Sequence, residues 1–332
     1  MNRSLIRSFT TQILPLPYPT ADFTGKTVIV TGANSGVGLE AARHFVRLNA
    51  QKVILACRDL AKAESAREDI VSSERNACDI ELWEVDLGSF ESVKAFCRRA
   101  AELERLDVVI ENAGLLSHQY MQFEEYERQC TVNIISTWLM ALLLLPVLRR
   151  PKPSSDGGDR EWAIPHLCIV GSNAQFYTEF HQRSEASIFE AFKGGDDMYH
   201  RYANTKLCSL LIMREVASRM KGDGKPRVVL NMVEPGFCRT NLLREGTWAW
   251  YFVALMAVSN ALLGRTPEMG ARNYIWAACA GPESHGAYLE DCGLSTPCPF
   301  ADTDEGKRLQ TRVFGELAGI LEGIAPSIMQ NI

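Results

Sequence analysis

The sequence predicts a doubly wound α/β fold, a parallel sheet covered by helices on both faces, and three observations carry that prediction. Short apolar runs of strand length alternate with helical stretches along most of the chain, and strands that are apolar throughout are buried on both sides. The first run ends in a glycine-rich turn, "TGANSGVG", that opens directly into the helical stretch "LEAARHFVRL". A chain of 332 residues, 46% hydrophobic and 23% charged, can bury one large core and shows no compositional sign of disorder.

The elements follow in order. "TVIVTG" (27–32), "KVILAC" (52–57), "DIELWEVDL" (79–87) and "LDVVIENAG" (106–114) read as strands. Helical stretches follow them at 36–49, 59–73, 89–104 and, as one long element, 122–149. Later strands are "HLCIVGS" (166–172), "RVVLNMVEPG" (227–236) and the weaker "GAYLED" (286–291). Residues 149–165, rich in Pro, Gly, Ser and Asp, read as a solvated surface loop. The connection 173–198 is long for its kind. It holds Phe176, Tyr177, Phe180, Phe189 and Phe192, which are expected to wall a pocket at the carboxyl edge of the sheet.

The ends stand apart. Residues 1–22 carry Arg3 and Arg7, several Ser/Thr and the proline-rich "PLPYPT". They read as an extended arm laid over the body, with organelle targeting as the alternative to a cytoplasmic location. Residues 23–293 are expected to form the main domain, with a lid at about 237–264, and residues 294–332 a helical extension. "TWLMALLLLPVL" (137–148) is shorter than the roughly 20 apolar residues of a membrane span. "TWAWYFVALMAVSNALLG" (247–264) falls short as well; it reads first as a lid over an apolar pocket, then as an oligomer contact, then as a peripheral membrane patch.

A net charge of −5 argues against nucleic acid as the main partner. Ten cysteines are scattered singly, without zinc spacing, and read as small buried hydrophobes; no metal is expected.

Chemistry enters at two places. In the turn, Gly32, Asn34, Ser35, Gly36, Val37 and Gly38 let the backbone approach a pyrophosphate, and the following helix start supplies amide hydrogens and a partial positive charge. In "YHRYANTK" (199–206) only Tyr202 has a lysine four residues on, Lys206. A helix brings such a pair to one face, and a neighbouring ammonium eases ionisation of a phenol. Tyr199 is expected to line the pocket at the helix start.

Together "TGANSGVG", the "NAG" at 112–114, a serine ending the fifth strand, "YANTK" and the "PG" at 235–236 occur in an order that resembles the short-chain dehydrogenase/reductase family over about residues 23–293. "GKTVIVTGANSGVGLEAARH", "VILACRD" and "EPGFCRTNL" resemble its retinol-dehydrogenase-like branch and fungal relatives, many of which act in secondary metabolism. The resemblance implies a Rossmann domain and hydride transfer between a nicotinamide and a carbonyl or alcohol. It implies Tyr202 as proton donor, Lys206 as its partner and holder of the nicotinamide ribose, Ser172 on the substrate oxygen, and Asn133 positioning a water near the lysine. Asp86 and Leu87 resemble the adenine contact. Asn112, Ala113 and Gly114 match the adenosine side, with Glu111 where the family often has another asparagine. Pro235, Gly236 and Thr240 resemble the turn at the nicotinamide.

Arg58, the first polar residue after the second strand, suits the 2'-phosphate of NADP(H), with Lys62 as helper, while Asp59 caps the next helix. Ser172 and Tyr202 stand about 30 residues apart, wider than in most of the family, and a surface insertion of that kind need not move the site. The expected substrate is a bulky apolar small molecule, motivated by 173–198 and 248–263. A non-redox isomerase or cyclase and an NADP-sensing protein are the alternatives.

Overall fold

A computed structural model describes residues 11–12, 14–151, 164–239 and 263–332. In chain order these form β1 (Thr27–Thr31), α1 (Gly36–Arg47), β2 (Lys52–Cys57), α2 (Leu60–Ser73), β3 (Asp79–Glu84), α3 (Phe90–Ala100) and β4 (Val108–Glu111). A hairpin of β5 (Gln122–Phe123) and β6 (Tyr126–Glu127) leads into the long helix α4 (Arg128–Leu148). Then come β7 (His166–Val170), the short α5 (Ile188–Ala191), α6 (Arg201–Arg219), β8 (Val229–Val233), α7 (Pro267–Ala277), β9 (Tyr288–Glu290), β10 (Gly293–Ser295) and α8 (Asp304–Ile324).

Eight strands make one sheet in the order β3-β2-β1-β4-β7-β8-β9-β10, parallel except for β10, which runs antiparallel to β9. β1, β7 and β8 are buried along their whole length, as their unbroken apolar composition requires. One face packs Val93 and Phe96 of α3, Trp138 and Leu142 of α4, Leu207 and Leu211 of α6 and Val313 of α8. The opposite face packs Phe45 of α1, Ile70 of α2 and Tyr274 of α7. The C-terminal extension is thus part of the main core. Among the described residues α4 alone is long and apolar enough to cross a membrane, and 89% of its most apolar stretch lies inside the protein.

Several expected boundaries are corrected. The strand at 79–87 ends at Glu84, the one at 106–114 at Glu111 and the one at 227–236 at Val233. Val85 and Glu234 each still donate to the neighbouring strand, to Cys57 at 3.1 Å and Leu289 at 2.9 Å, and the chain then turns; Asp86, for instance, accepts the Gly88 amide at 2.8 Å. The long helix starts at Arg128 rather than near 122, because the Glu127 carboxylate caps the amides of Gln129 and Cys130 and Glu124 adopts a left-handed conformation in the hairpin. The pocket wall expected of the aromatics in 173–198 is corrected too. Phe180, Phe189 and Phe192 are buried against one another at centroid distances of 6.0 and 6.2 Å. They turn inward because Arg201, fully buried, donates to the carbonyls of Phe192, Gly194 and Asp196. From the other side, Glu316 of α8 accepts the Ile188 and Phe189 amides at the start of α5.

The described part of the N-terminal arm lies on α1 and α7. Tyr18 stacks beneath the guanidinium groups of Arg47 and Arg272, 4.3 and 5.0 Å from its ring centre, and Leu16 is buried. The loop centre at 152–163 lies outside the described residues. All ten cysteines are free.

Glu111, at the end of β4, is a carboxyl in the core. Burial pushes it up to about 8, and the Thr31 hydroxyl pulls weakly the other way. Its folded pKa thus lies above the unfolded value near 4.5. The contribution of the neutral acid is full below that value and is lost as pH rises toward 8. Glu111→Gln is therefore expected to match wild type in melting temperature at pH 5 and to exceed it at pH 8.5, by an increment on the order of 1 kcal/mol or more. Thermal unfolding at the two pH values checks this, and parallel curves would remove the argument.

Candidate active site

The carboxyl ends of β1, β2, β3, β4, β7 and β8 open onto one cavity of about 810 Å³. At its first end, Gly32 has φ +66° and Gly36 φ +59°, the left-handed region that the turn out of β1 requires. A side chain at Gly38 would run into the Asn112 amide at 2.5 Å and the Gly32 carbonyl at 2.6 Å. The turn is a cradle that glycine alone leaves open, and the first turn of α1 above it carries no acidic residue. Such a helix start suits a pyrophosphate, so the residues present fit a dinucleotide.

Around that turn the structure gathers most of the expected contacts. Asn34, Ser35 and Val37 line the cavity with the glycines; Asp86 and Leu87 close it beyond β3, and Asn112, Ala113 and Gly114 beyond β4. Asn112 is held from two sides: its Nδ2 donates to the Thr31 carbonyl at 2.8 Å, and its Oδ1 accepts the Tyr274 hydroxyl at 3.0 Å. It fastens β4 to β1 and α7 as well as lining the wall. At the rim Arg58 is exposed. Asp59 caps α2 through the Lys62 amide and pairs with the Lys62 ammonium at 2.8 Å. The aspartate's hydrogen-bonding capacity is thereby used on its own helix, as the capping reading requires.

At the other end lie Ser172, Tyr202, Lys206, Pro235 and Gly236. Ser172 follows β7 in extended conformation, and its Oγ accepts the Ala174 amide at 3.1 Å. Tyr202 and Lys206 sit one turn apart on α6. Arg201 and Asn204, on the other side of that helix, bind the 173–198 insertion: Asn204 donates to Gln182 Oε1 at 3.0 Å. The insertion thus anchors the helix and leaves the Ser172–Tyr202–Lys206 grouping intact. Lys206 Nζ donates to the Val170 carbonyl at 2.8 Å and stands 5.7 Å from the centre of the Tyr202 ring.

The electrostatics differ from the sequence expectation. Loss of water pushes the Tyr202 phenol well above its usual range, the Ser172 hydroxyl pulls it down and Glu234 pushes it up. Burial draws Lys206 down to about 8, with Glu234 opposing. The acidification expected from the lysine does not set the phenol; loss of water does.

Asn133 lies in a π-helical turn, Thr131–Ser136, one layer behind the cavity wall. It exchanges hydrogen bonds with the Leu115 backbone, both 2.9 Å, and donates to Thr205 at 3.2 Å. The expectation that Tyr199 lines the pocket is corrected: it is 72% exposed and stacks on His118 outside the cavity. Of the aromatics expected to wall the pocket, only Tyr177 reaches it. Thr240 and most of the 247–264 stretch lie outside the described residues.

Three cavity residues had no part in the expectation. Gln12 of the arm donates to the carbonyls of Phe237 and Leu263, 2.7 and 2.9 Å, at the two ends of the segment expected to be a lid. Nothing in the sequence signals so distant a contact. Tyr274 holds Asn112 from α7. Glu234 is a buried acid directly before the Pro-Gly turn, and a charged residue ending an apolar strand was a signal open to reading.

A doubly wound sheet whose first turn accepts a dinucleotide, with serine, tyrosine and lysine on the same cavity, defines a nicotinamide-dependent oxidoreductase. The family model described as short chain dehydrogenase matches residues 26–157. The chain is 37% identical over 331 residues to "Short chain dehydrogenase/reductase dmxR8" of Cryptosporiopsis sp., covering 95% of this chain and 96% of that one. It is 40% identical over 292 residues to "Short chain dehydrogenase atnD" of Emericella nidulans, covering 86% and 90%. Among solved structures it is similar to a putative NAD(P) dependent gluconate 5-dehydrogenase from Beutenbergia cavernae with bound NADP, at TM-score 0.57, 22% identity and 82% and 97% coverage. A short-chain dehydrogenase from Sphingobium yanoikuyae in complex with NADPH matches at TM-score 0.56, 19% identity and 80% and 87% coverage. The protein belongs to the short-chain dehydrogenase/reductase family.

Proposed function

We propose that this chain is an NADP(H)-dependent carbonyl reductase acting on a bulky, largely apolar small molecule. The observation that carries the reading is the single cavity that joins the glycine cradle to Ser172, Tyr202 and Lys206. A nicotinamide coenzyme bound in it supplies the hydride. The chain supplies the rest. Ser172 Oγ orients the substrate oxygen, Tyr202 gives it a proton, and Lys206 holds the coenzyme ribose. Asn133 keeps the Gly114–Leu115 backbone in place behind the lysine.

In reduction the developing alkoxide takes its proton from the Tyr202 hydroxyl, and in oxidation the same oxygen takes the proton back. The fungal relatives and the apolar cavity wall (Leu115, Leu116, Phe123, Val132) favour an intermediate of fungal secondary metabolism as substrate. Purified protein with NADPH and a panel of aryl and alicyclic ketones tests the reading: loss of the nicotinamide band with stoichiometric alcohol supports it. Product formed with coenzyme unchanged would replace it by the isomerase or cyclase alternative.

Coenzyme choice rests on Arg58 at the rim, with Lys62 beside it, and on Asp59 being turned to its own helix. The NADP and NADPH complexes of the two structural neighbours are consistent with it. Arg58→Ala is expected to raise the KM for NADPH by roughly 10-fold, as loss of a charge-assisted phosphate contact does, and to leave that for NADH within about twofold. Equal effects on both coenzymes would reverse the assignment.

A further inference from the structure

After β8 the Glu234 amide still donates to Leu289 of β9 at 2.9 Å, and the chain then turns. Pro235, Gly236 and Phe237 of that turn line the cavity at the end that holds Ser172, Tyr202 and Lys206. Backbone groups that leave a sheet need partners from elsewhere, and for Phe237 they come from the N-terminal arm. Gln12 Nε2 donates to the Phe237 carbonyl at 2.7 Å, and Gln12 Oε1 accepts the Phe237 amide at 3.1 Å. Nε2 also donates to the Leu263 carbonyl, at 2.9 Å. Gln12 is 6% exposed and lines the same cavity as the turn.

We propose that Gln12 is a positioning residue of the active site, which holds the 235–237 turn in place at the nicotinamide end of the cavity. The proposal rests on the reading of that cavity as a coenzyme site. A single hydrogen bond would leave the turn free to pivot. Two bonds from one planar amide to the N–H and C=O of the same residue fix its position and rotation together, as an antiparallel neighbour does in a sheet. The bond to Leu263 braces Phe237 against a second stretch of backbone. Gln12 also packs directly on the turn: a side chain built on Gly236 would begin 3.0 Å from Gln12 Oε1 and 2.7 Å from Arg265 Nη1.

The glutamine is itself held. Arg265, 3% exposed, donates to the carbonyls of Thr11 and Gln12 at 2.9 and 3.2 Å, and its guanidinium is paired with Asp291 at 2.6 Å. The Arg265 amide donates to the Phe237 carbonyl at 2.8 Å, and the Arg265 carbonyl accepts the Arg239 amide at 2.9 Å. The bridge between 237–239 and Arg265 therefore does not depend on Gln12; what the glutamine adds is the acceptor for the Phe237 amide and the link to the arm. The arm is secured separately, by Arg47 donating to the Pro19 carbonyl at 2.8 Å and by Tyr18 beneath Arg47 and Arg272. Removing the Gln12 amide thus changes the turn and leaves the arm docked.

The test is Gln12→Met, which keeps the length of the side chain and removes its amide. Calorimetric titration is expected to show NADPH bound about 10-fold more weakly than by wild type, and adenosine 2',5'-bisphosphate, the coenzyme's adenosine half without a nicotinamide, bound within about twofold. Equal loss for both ligands overturns the proposal, because the fold as a whole has then weakened; no loss for either overturns it too, because the turn then needs no brace. Hydrogen exchange in the coenzyme-free protein reads the contact without a ligand. The Phe237 amide is expected to exchange at least about 10-fold faster in Gln12→Met, with the Arg239 amide unchanged, and an unmoved Phe237 amide overturns the proposal. Should Gln12→Met fail to fold, Gln12→Glu decides: its carboxylate keeps the acceptor for the Phe237 amide and has no hydrogen for the two carbonyls. The same split between NADPH and the bisphosphate is expected there, and its absence overturns the proposal. A wild-type protein that binds neither ligand removes the coenzyme reading, while the exchange measurement still decides whether Gln12 holds the turn.

Discussion

Tyr202→Phe is expected to lower kcat for carbonyl reduction by about 10²- to 10⁴-fold while leaving the NADPH dissociation constant within about twofold. The substitution removes one oxygen and keeps the ring, so α6 and the wall of the cavity have no reason to move. What disappears is the proton that must meet the developing alkoxide. Ser172 cannot stand in for it, because its hydroxyl is a far weaker acid than a phenol. Single-turnover measurement with NADPH already bound separates the chemical step from binding. If the variant reduces ketones at near the wild-type rate, the proton comes from elsewhere and the assignment of Tyr202 falls. The pH profile adds a second reading: with the phenol pushed up by loss of water and burial drawing Lys206 down to about 8, alkaline loss of wild-type activity should follow the lysine and not ionisation of the tyrosine.

What could be read from the sequence was local. The turn after β1, the Tyr-Lys spacing on α6 and the serine ending β7 each depend on a few adjacent residues, and backbone geometry carries those into space with little freedom. The parallel, doubly wound sheet follows from the same logic, since apolar strands separated by helices have few ways to pack. What was misread depends on contacts between distant segments. The phenylalanines of 173–198 look alike in sequence whether they wall a pocket or fill a core. The decision is made by Arg201, whose buried guanidinium gathers three carbonyls of that segment, and by Glu316 on a helix more than a hundred residues away. Gln12 reaches the cavity through partners some 225 and 251 positions on. The phenol's acidity was misjudged for a related reason: a charged neighbour is visible in the sequence, whereas the loss of water around both groups appears only in the fold.

Gly38→Ala is expected to weaken NADPH binding at least about 10-fold, equivalent to about 1.4 kcal/mol, and to destabilise the fold by about 1–3 kcal/mol. The added methyl would lie 2.6 Å from the Gly32 carbonyl, a backbone atom, and 2.5 Å from the Asn112 amide. Neither can yield cheaply. Asn112 is fixed by the Thr31 carbonyl and the Tyr274 hydroxyl, so displacing it loosens β4 and α7 together, and displacing Gly32 opens the cradle itself. Gly315 on α8 is the matched control: it is exposed, and nothing lies within 4 Å of the position a methyl would take. Gly315→Ala should stabilise the helix by up to about 1 kcal/mol and leave coenzyme binding untouched. Fluorescence titration with NADPH and thermal unfolding of both variants separate a local steric block from a general glycine effect. Wild-type affinity in Gly38→Ala would mean that the coenzyme does not approach the chain at this turn, and the dinucleotide reading of the cavity would have to be given up.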